Sequence, residues 1–256
     1  MKEAATILLA LGAVYLLCAA FLYFFQRRLI YYPVADDPDF SAREVSFDND
    51  GTRLHGWVLN PGREKALIYF GGNSEMITHR AAYFEDVFSD YSVYLVNYRG
   101  YGKSQGRPNE SGLFSDALAI HDQLQERHHS VMAYGRSLGS GVAVYLASQR
   151  SLQKLILLTP YDSVASVGQR KYWMFPVRYL LKDRFDSISR VDALRLPVLI
   201  ASAEHDREIP LQHTLALRDR LRQATVDYLQ ISGAAHNDIV DFPRYREAVQ
   251  AFMANN

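Results

Sequence analysis

Cysteine is nearly missing from this chain. The one copy in 256 residues is Cys18, so no disulfide closes within the chain and no multi-thiolate metal site can be built. Neither sign of charge is in excess. The 28 lysines and arginines balance 28 aspartates and glutamates, which removes the basic field that nucleic acid would need and disfavours it as a partner. Internal repeats, low-complexity tracts and paired Cys/His metal spacings are absent too. The glycine-spaced loop from Asn97 to Gly106 does not set Gly-Lys-Ser at the phosphate-loop distance from a first glycine, nor at the head of a helix, which argues against a nucleotide site.

What the chain does have is one long apolar run. Ala4 to Phe25 is uncharged and of the length needed to cross a bilayer as a helix, and Tyr23, Phe24 and Phe25 precede Gln26-Arg27-Arg28 like an interfacial aromatic belt with a charged stop. Residues 1–28 therefore read as a single-pass membrane anchor. A cleaved signal peptide ending near Cys18-Ala19-Ala20 is the competing reading, but the apolar run continues past it to Phe25. Arg27 and Arg28 favour the cytoplasmic side for the domain beyond them. Tyr31-Tyr32-Pro33 and Asp36-Asp37-Pro38-Asp39 read as an exposed connector.

The remaining residues, 29–256, have the length of one large domain and carry an alternating β and α rhythm. Glu44–Phe47 and Leu54–Leu59 alternate around the turn residues Asp48-Asn49-Asp50-Gly51, predicting an antiparallel hairpin. Ala66–Phe70 is a continuous apolar run of strand length, as in a parallel sheet covered on both faces, and Ser92–Val96, Val131–Tyr134, Lys154–Leu158 and Val198–Ala201 read as further buried strands. Val226–Ile231 is the last strand. Helical patterns fall between them, with Leu113, Ala117, Ile120 and Leu124 on one face, then Leu211, Leu215 and Leu221 on another, and a final helix from Pro243 to Met253. The rhythm lapses over residues 161–197, a cap insertion holding Tyr172-Trp173-Met174-Phe175-Pro176-Val177 and Tyr179-Leu180-Leu181. That cluster suits the roof of an apolar pocket, a helix packed on the domain, or a membrane-facing patch.

Chemistry concentrates where strands end. Gly135-Arg136-Ser137-Leu138-Gly139 joins a strand to a helix, and glycines flanking the serine suit a turn too tight for side chains. Ser137 is thereby the candidate nucleophile, with the N–H of Leu138 aimed at a developing oxyanion. Gly71-Gly72-Asn73 closes an earlier strand, and the N–H of Gly72 or Asn73 is the candidate second donor. Asp206 leaves the strand Val198–Ala201 and His236 leaves the last strand, giving the chain order serine, acid, histidine. Glu204 is the rival acid, and a turn cap ahead of Pro210 is the competing role for Asp206.

With these residues in place, the chain resembles the α/β-hydrolase superfamily, in particular the membrane-anchored serine hydrolases related to lysophospholipases and protein depalmitoylases. The resemblance runs from about Leu29 to Phe252. It rests on Tyr69-Phe70-Gly71-Gly72-Asn73, Asn97-Tyr98-Arg99-Gly100-Tyr101-Gly102, the elbow, Asp183-Arg184-Phe185-Asp186-Ser187 and Ala235-His236-Asn237-Asp238. Relatives commonly carry histidine where this chain has Gly71. The resemblance implies a mostly parallel eight-stranded sheet with helices on both faces. It also implies hydrolysis of a carboxylic ester or thioester of a small-molecule or lipid acyl substrate, with no metal or organic cofactor. An aminopeptidase-type amide hydrolase and a non-catalytic membrane interaction module are the alternatives.

Overall fold

The computed structural model describes residues 1–255. Eight strands form one sheet: β1 (Arg43–Asn49), β2 (Thr52–Leu59), β3 (Lys65–Phe70), β4 (Tyr91–Val96), β5 (Ser130–Arg136), β6 (Leu155–Leu158), β7 (Pro197–Ala203) and β8 (Thr225–Ile231). Their spatial order is β1-β2-β4-β3-β5-β6-β7-β8. The β1–β2 hairpin pairs Asn49 with Thr52 across a two-residue turn, Asp50-Gly51, in which both residues take positive φ (49° and 78°), the twist such a hairpin demands. β2 meets β4 antiparallel, and every later pairing is parallel.

The apolar runs form strands because both sides of the sheet are covered. Along β3, Ala66, Ile68 and Phe70 enter one core while Leu67 and Tyr69 enter the other. The first core is closed by α3 (Glu110–Gln125), α4 (Leu138–Gln149) and α7 (Leu211–Arg220). The second is closed by α2 (Ala81–Val87) and α8 (Pro243–Ala254). The predicted face of α3 is the buried one, and the Asn109 side chain accepts from the Gly112 N–H to start it. Of the expected face Leu221, just past the end of α7, is buried, but Leu211 and Leu215 are only half-buried and the helix turns His213, Thr214 and Leu217 inward. His213 and Thr214 face inward because they have partners: Nδ1 of His213 lies 2.9 Å from Asp162, and Thr214 donates to the Pro160 carbonyl at 2.6 Å.

The apolar N-terminal run is a helix, α1 (Lys2–Ile30), which continues through the charged stop and past the expected end at residue 28. The segment after it keeps Tyr32, Pro33, Pro38 and Asp39 exposed, as a connector would, but it is tied to the domain at several points. Tyr31 is buried and donates its hydroxyl to Asp183. The Tyr32 N–H reaches the carbonyl of Asn73, and the Asp36 carboxylate accepts from the Asn97 amide and the Lys103 N–H. These partners lie far away in sequence, and they strap the segment across the loops that follow β3 and β4. Between β6 and β7 the insertion folds as α5 (Val164–Lys171) and α6 (Val177–Leu180), two short helices standing over the carboxyl ends of the strands.

Candidate active site

The turn between β5 and α4 is strained where the sequence pattern places the serine. Ser137 has φ 50° and ψ −117°, a conformation non-glycine residues rarely adopt. Its neighbours explain why the strain persists. A Cβ on Gly135 would stand 2.5 Å from the Gly139 carbonyl oxygen, and one on Gly139 would overlap that of Phe70, so strand, turn and helix are in backbone contact. The Ser137 N–H donates to the Leu158 carbonyl on β6, which anchors the turn to the sheet.

Two further loops bring their side chains to this serine. His236, after β8, places Nε2 3.0 Å from Ser137 Oγ and Nδ1 2.8 Å from Asp206 Oδ2. Asp206, after β7, uses its other oxygen to accept from the N–H groups of Glu208 and Ile209. The carboxylate is thus both the turn cap and the partner of the imidazole, two readings that compete in the sequence and coexist in the fold. Glu204 instead accepts from the Gly233 N–H. Both His236 and Asp206 are nearly buried, with 11% and 4% of their side chains exposed. An alcohol bonded to an imidazole whose far nitrogen is held by a buried carboxylate can lose its proton to that imidazole as it attacks a carbonyl.

The expected role of Gly72 requires correction. Its N–H donates to Glu75 Oε2 at 2.7 Å and is not available to an oxyanion. The Asn73 N–H makes no hydrogen bond among the described residues, while its carbonyl is held by the Tyr32 N–H and the Tyr101 hydroxyl and its side chain donates to the Ile30 carbonyl. Asn73 and Leu138 line the same cavity as Ser137 and His236. Of the three backbone donors the sequence nominates, theirs are the two whose N–H has no partner among the described residues.

Glu75 belongs to a buried network that the motifs do not announce. Its carboxylate takes the Tyr69 hydroxyl at 2.7 Å and Arg136 Nη1 at 2.6 Å, and Arg136 Nη2 reaches the Asn237 amide oxygen at 2.5 Å. Burial drives the Tyr69 phenol well above its ordinary pKa. For Arg136 burial pulls the pKa down, but the adjacent Glu75 carboxylate outweighs it and the net shift is upward. The signal for this network in the sequence was the charged residue inside the elbow itself, next to a nucleophile candidate on an otherwise apolar strand end.

A cavity of about 1190 Å³ opens above Ser137, larger than the usual range for a small-ligand pocket. Tyr172, Phe175, Val177 and Leu180 of the cap roof it, as one reading of the aromatic cluster expects. Its remaining wall is unexpected: Ala19, Leu22, Leu29 and Ile30 of α1 line it as well. The helix is held there by Arg27 on Asp183 (2.9 Å), and by Gln26, which accepts from the Lys182 N–H and donates to the Leu180 carbonyl.

No family model matches the chain. It is 34% identical over 253 residues to an uncharacterized protein of Mycobacterium tuberculosis, covering 91% of this chain and 89% of that one. It is 30% identical over 205 residues to alpha/beta hydrolase domain-containing protein 17C of Xenopus laevis, covering 77% of this chain and 63% of the relative. Among solved structures, an esterase of Pyrococcus furiosus superposes with a TM-score of 0.70 at 17% identity, over 87% of this chain and 97% of its own. Est1E of Butyrivibrio proteoclasticus, solved with ferulic acid bound, gives 0.68 at 18%, over 82% and 97%. At these identities the two structures speak for the fold.

Proposed function

This chain belongs to the α/β-hydrolase superfamily, and from that premise we propose that it is a membrane-anchored serine hydrolase cleaving carboxylic ester or thioester bonds of an acyl substrate. The observation that carries the proposal is the unbroken relay from Asp206 through His236 to Ser137, at 2.8 and 3.0 Å, on a strained elbow. In this reading neutral His236 takes the proton of Ser137 as Oγ attacks the acyl carbonyl. Asp206 holds the ring with Nδ1 protonated and stabilises the imidazolium that forms.

The tetrahedral oxyanion is received by the N–H groups of Leu138 and Asn73, where one such donor is worth about 3 to 4 kcal/mol of barrier. His236 returns the proton to the leaving alcohol or thiol, and the acyl group stays on Ser137. A water activated by the same imidazole then attacks the acyl-enzyme, and Ser137 leaves with its proton restored. Every proton is carried by these side chains.

The apolar walls contributed by the cap and α1 favour an aliphatic acyl chain. The carboxylates on the cavity wall are Glu75 and Glu208. Glu75 is committed to Arg136, which leaves Glu208 as the carboxylate on this wall that an aminopeptidase would need for a substrate ammonium group. The helix α1 serves as the anchor, with Arg27 and Arg28 favouring a cytoplasmic domain.

The test is hydrolysis of a series of p-nitrophenyl esters and acyl thioesters of rising chain length by the purified protein and by Ser137→Ala. Turnover that rises with chain length and disappears in the variant supports the reading. Equal turnover by the variant removes Ser137 from the reaction.

A further inference from the structure

We propose that the tip of the cap, from Trp173 to Tyr179, is inserted in the bilayer beside α1, so that the acyl cavity opens toward lipid chains and not toward water. The inference rests on the reading of α1 as a membrane span. Depth is set by contacts along that helix. Lys182 Nζ lies 4.6 Å from the ring centre of Tyr23 and the Arg28 guanidinium lies 5.4 Å from that of Phe25, cationic groups that belong at the headgroups. Tyr15 is two helical turns deeper, about 12 Å at 1.5 Å per residue. There its hydroxyl donates to the Met174 carbonyl at 2.9 Å, and its ring stacks on Phe175 with centroids 5.0 Å apart. If Tyr15 lies among acyl chains, the cap tip lies there too.

The tip is built for such a place. Beyond residue 30, the exposed large hydrophobic residues among those described are Tyr32, Trp173, Met174, Tyr179 and Leu180, four of the five at the cap tip or next to it. Three successive backbone carbonyls at the tip are satisfied from within: Gln169 donates to those of Trp173 and Phe175, and Tyr15 to that of Met174. Carbonyls tied off in this way suit hydrocarbon, where water is not at hand to satisfy them. Lys171, at the flank, and Arg178, within the tip beside Tyr179, have stems long enough to return their charges to the headgroups. The cavity wall supplied by Ala19, Leu22 and Tyr23 spans the same depth, between the Tyr15 contact and the cationic level.

The chain has two tryptophans, Trp57, which is buried, and Trp173, which is 75% exposed. The full-length Trp57→Phe variant, reconstituted in phosphatidylcholine vesicles brominated midway along their acyl chains, reports on Trp173 alone. The difference in emission between wild type and Trp173→Phe provides the same signal without touching the core. We expect Trp173 emission to be quenched by the brominated chains and protected from aqueous acrylamide. Protein that floats with the vesicles but shows the opposite pattern overturns cap insertion while leaving the anchor intact. Protein that does not float overturns the anchor reading and the insertion with it.

A kinetic arm uses Trp173→Glu combined with Tyr179→Glu, residues that do not line the cavity. Hydrolysis of a soluble short-chain ester should be unchanged, and hydrolysis of a long-chain ester embedded in vesicles should fall by roughly tenfold or more. Equal losses on both substrates would contradict the proposal.

Discussion

Arg136 Nη1 lies 2.6 Å from Glu75 Oε2, and both side chains are more than nine-tenths buried. Through this one pair the loop after β3, the elbow and the loop that carries His236 are joined, because Glu75 also takes the Gly72 N–H and Arg136 also holds Asn237, the residue after His236. Removing one charge strands the other. Arg136→Gln should therefore destabilise the protein by about 3–5 kcal/mol in urea unfolding, and Glu75→Gln should do likewise. The two together should cost less than the sum, since no uncompensated charge is left.

Asp206→Asn separates the orienting role of the acid from its role as a cap. The amide oxygen can still accept from Glu208 and Ile209, so the loop stays folded, but the amide group cannot stabilise an imidazolium and can itself donate to His236. The expected result is kcat lowered by about 10³ to 10⁴-fold with an unchanged thermal midpoint, read by ester hydrolysis and calorimetry.

Strain at the elbow is measurable by substitution. With φ at 50°, Ser137→Gly should be more stable than Ser137→Ala by about 1 kcal/mol, because glycine reaches this region without a Cβ penalty. Both variants should be inactive. Gly139→Ala should instead lose about 1–3 kcal/mol, since its Cβ would press on the backbone of Phe70.

One attachment of α1 to the cap is Asp183, which is buried, paired with Arg27, which is half exposed. Arg27→Ala should cost about 1–3 kcal/mol, at the lower end because the Tyr31 hydroxyl still reaches Asp183 at 3.1 Å. Thermal unfolding in detergent micelles checks this, and the same variant should hydrolyse long-chain esters less well as the cavity wall loosens.

Much of this was legible along the chain because it is local. The elbow follows from a strand, two glycines and a helix within a few residues, and the parallel sheet follows from apolar runs too continuous for a one-sided strand. Ser137, Asp206 and His236 could be nominated because each sits in the turn or loop that follows a strand. The features that escaped are non-local. Glu75 stands only three residues past Gly72, but what pins its carboxylate against that N–H is Arg136, far along the chain on the elbow. Residues 31–39 have turn-like composition, yet Asp183, Asn97 and Asn73 draw them onto the domain. The inward face of α7 carries His213 and Thr214, polar residues whose partners come from the loop after β6. For α1, hydropathy marked a span but could not reveal that one side of it closes the cavity.

The most direct test is the site of covalent labelling. Purified full-length protein is treated with a fluorophosphonate, digested and mapped by mass spectrometry, alongside Ser137→Ala and His236→Ala. A single phosphonate on the elbow peptide at Ser137, absent from Ser137→Ala and strongly slowed in His236→Ala, is the predicted result. An unlabelled native protein, or a label that persists in Ser137→Ala, would contradict it.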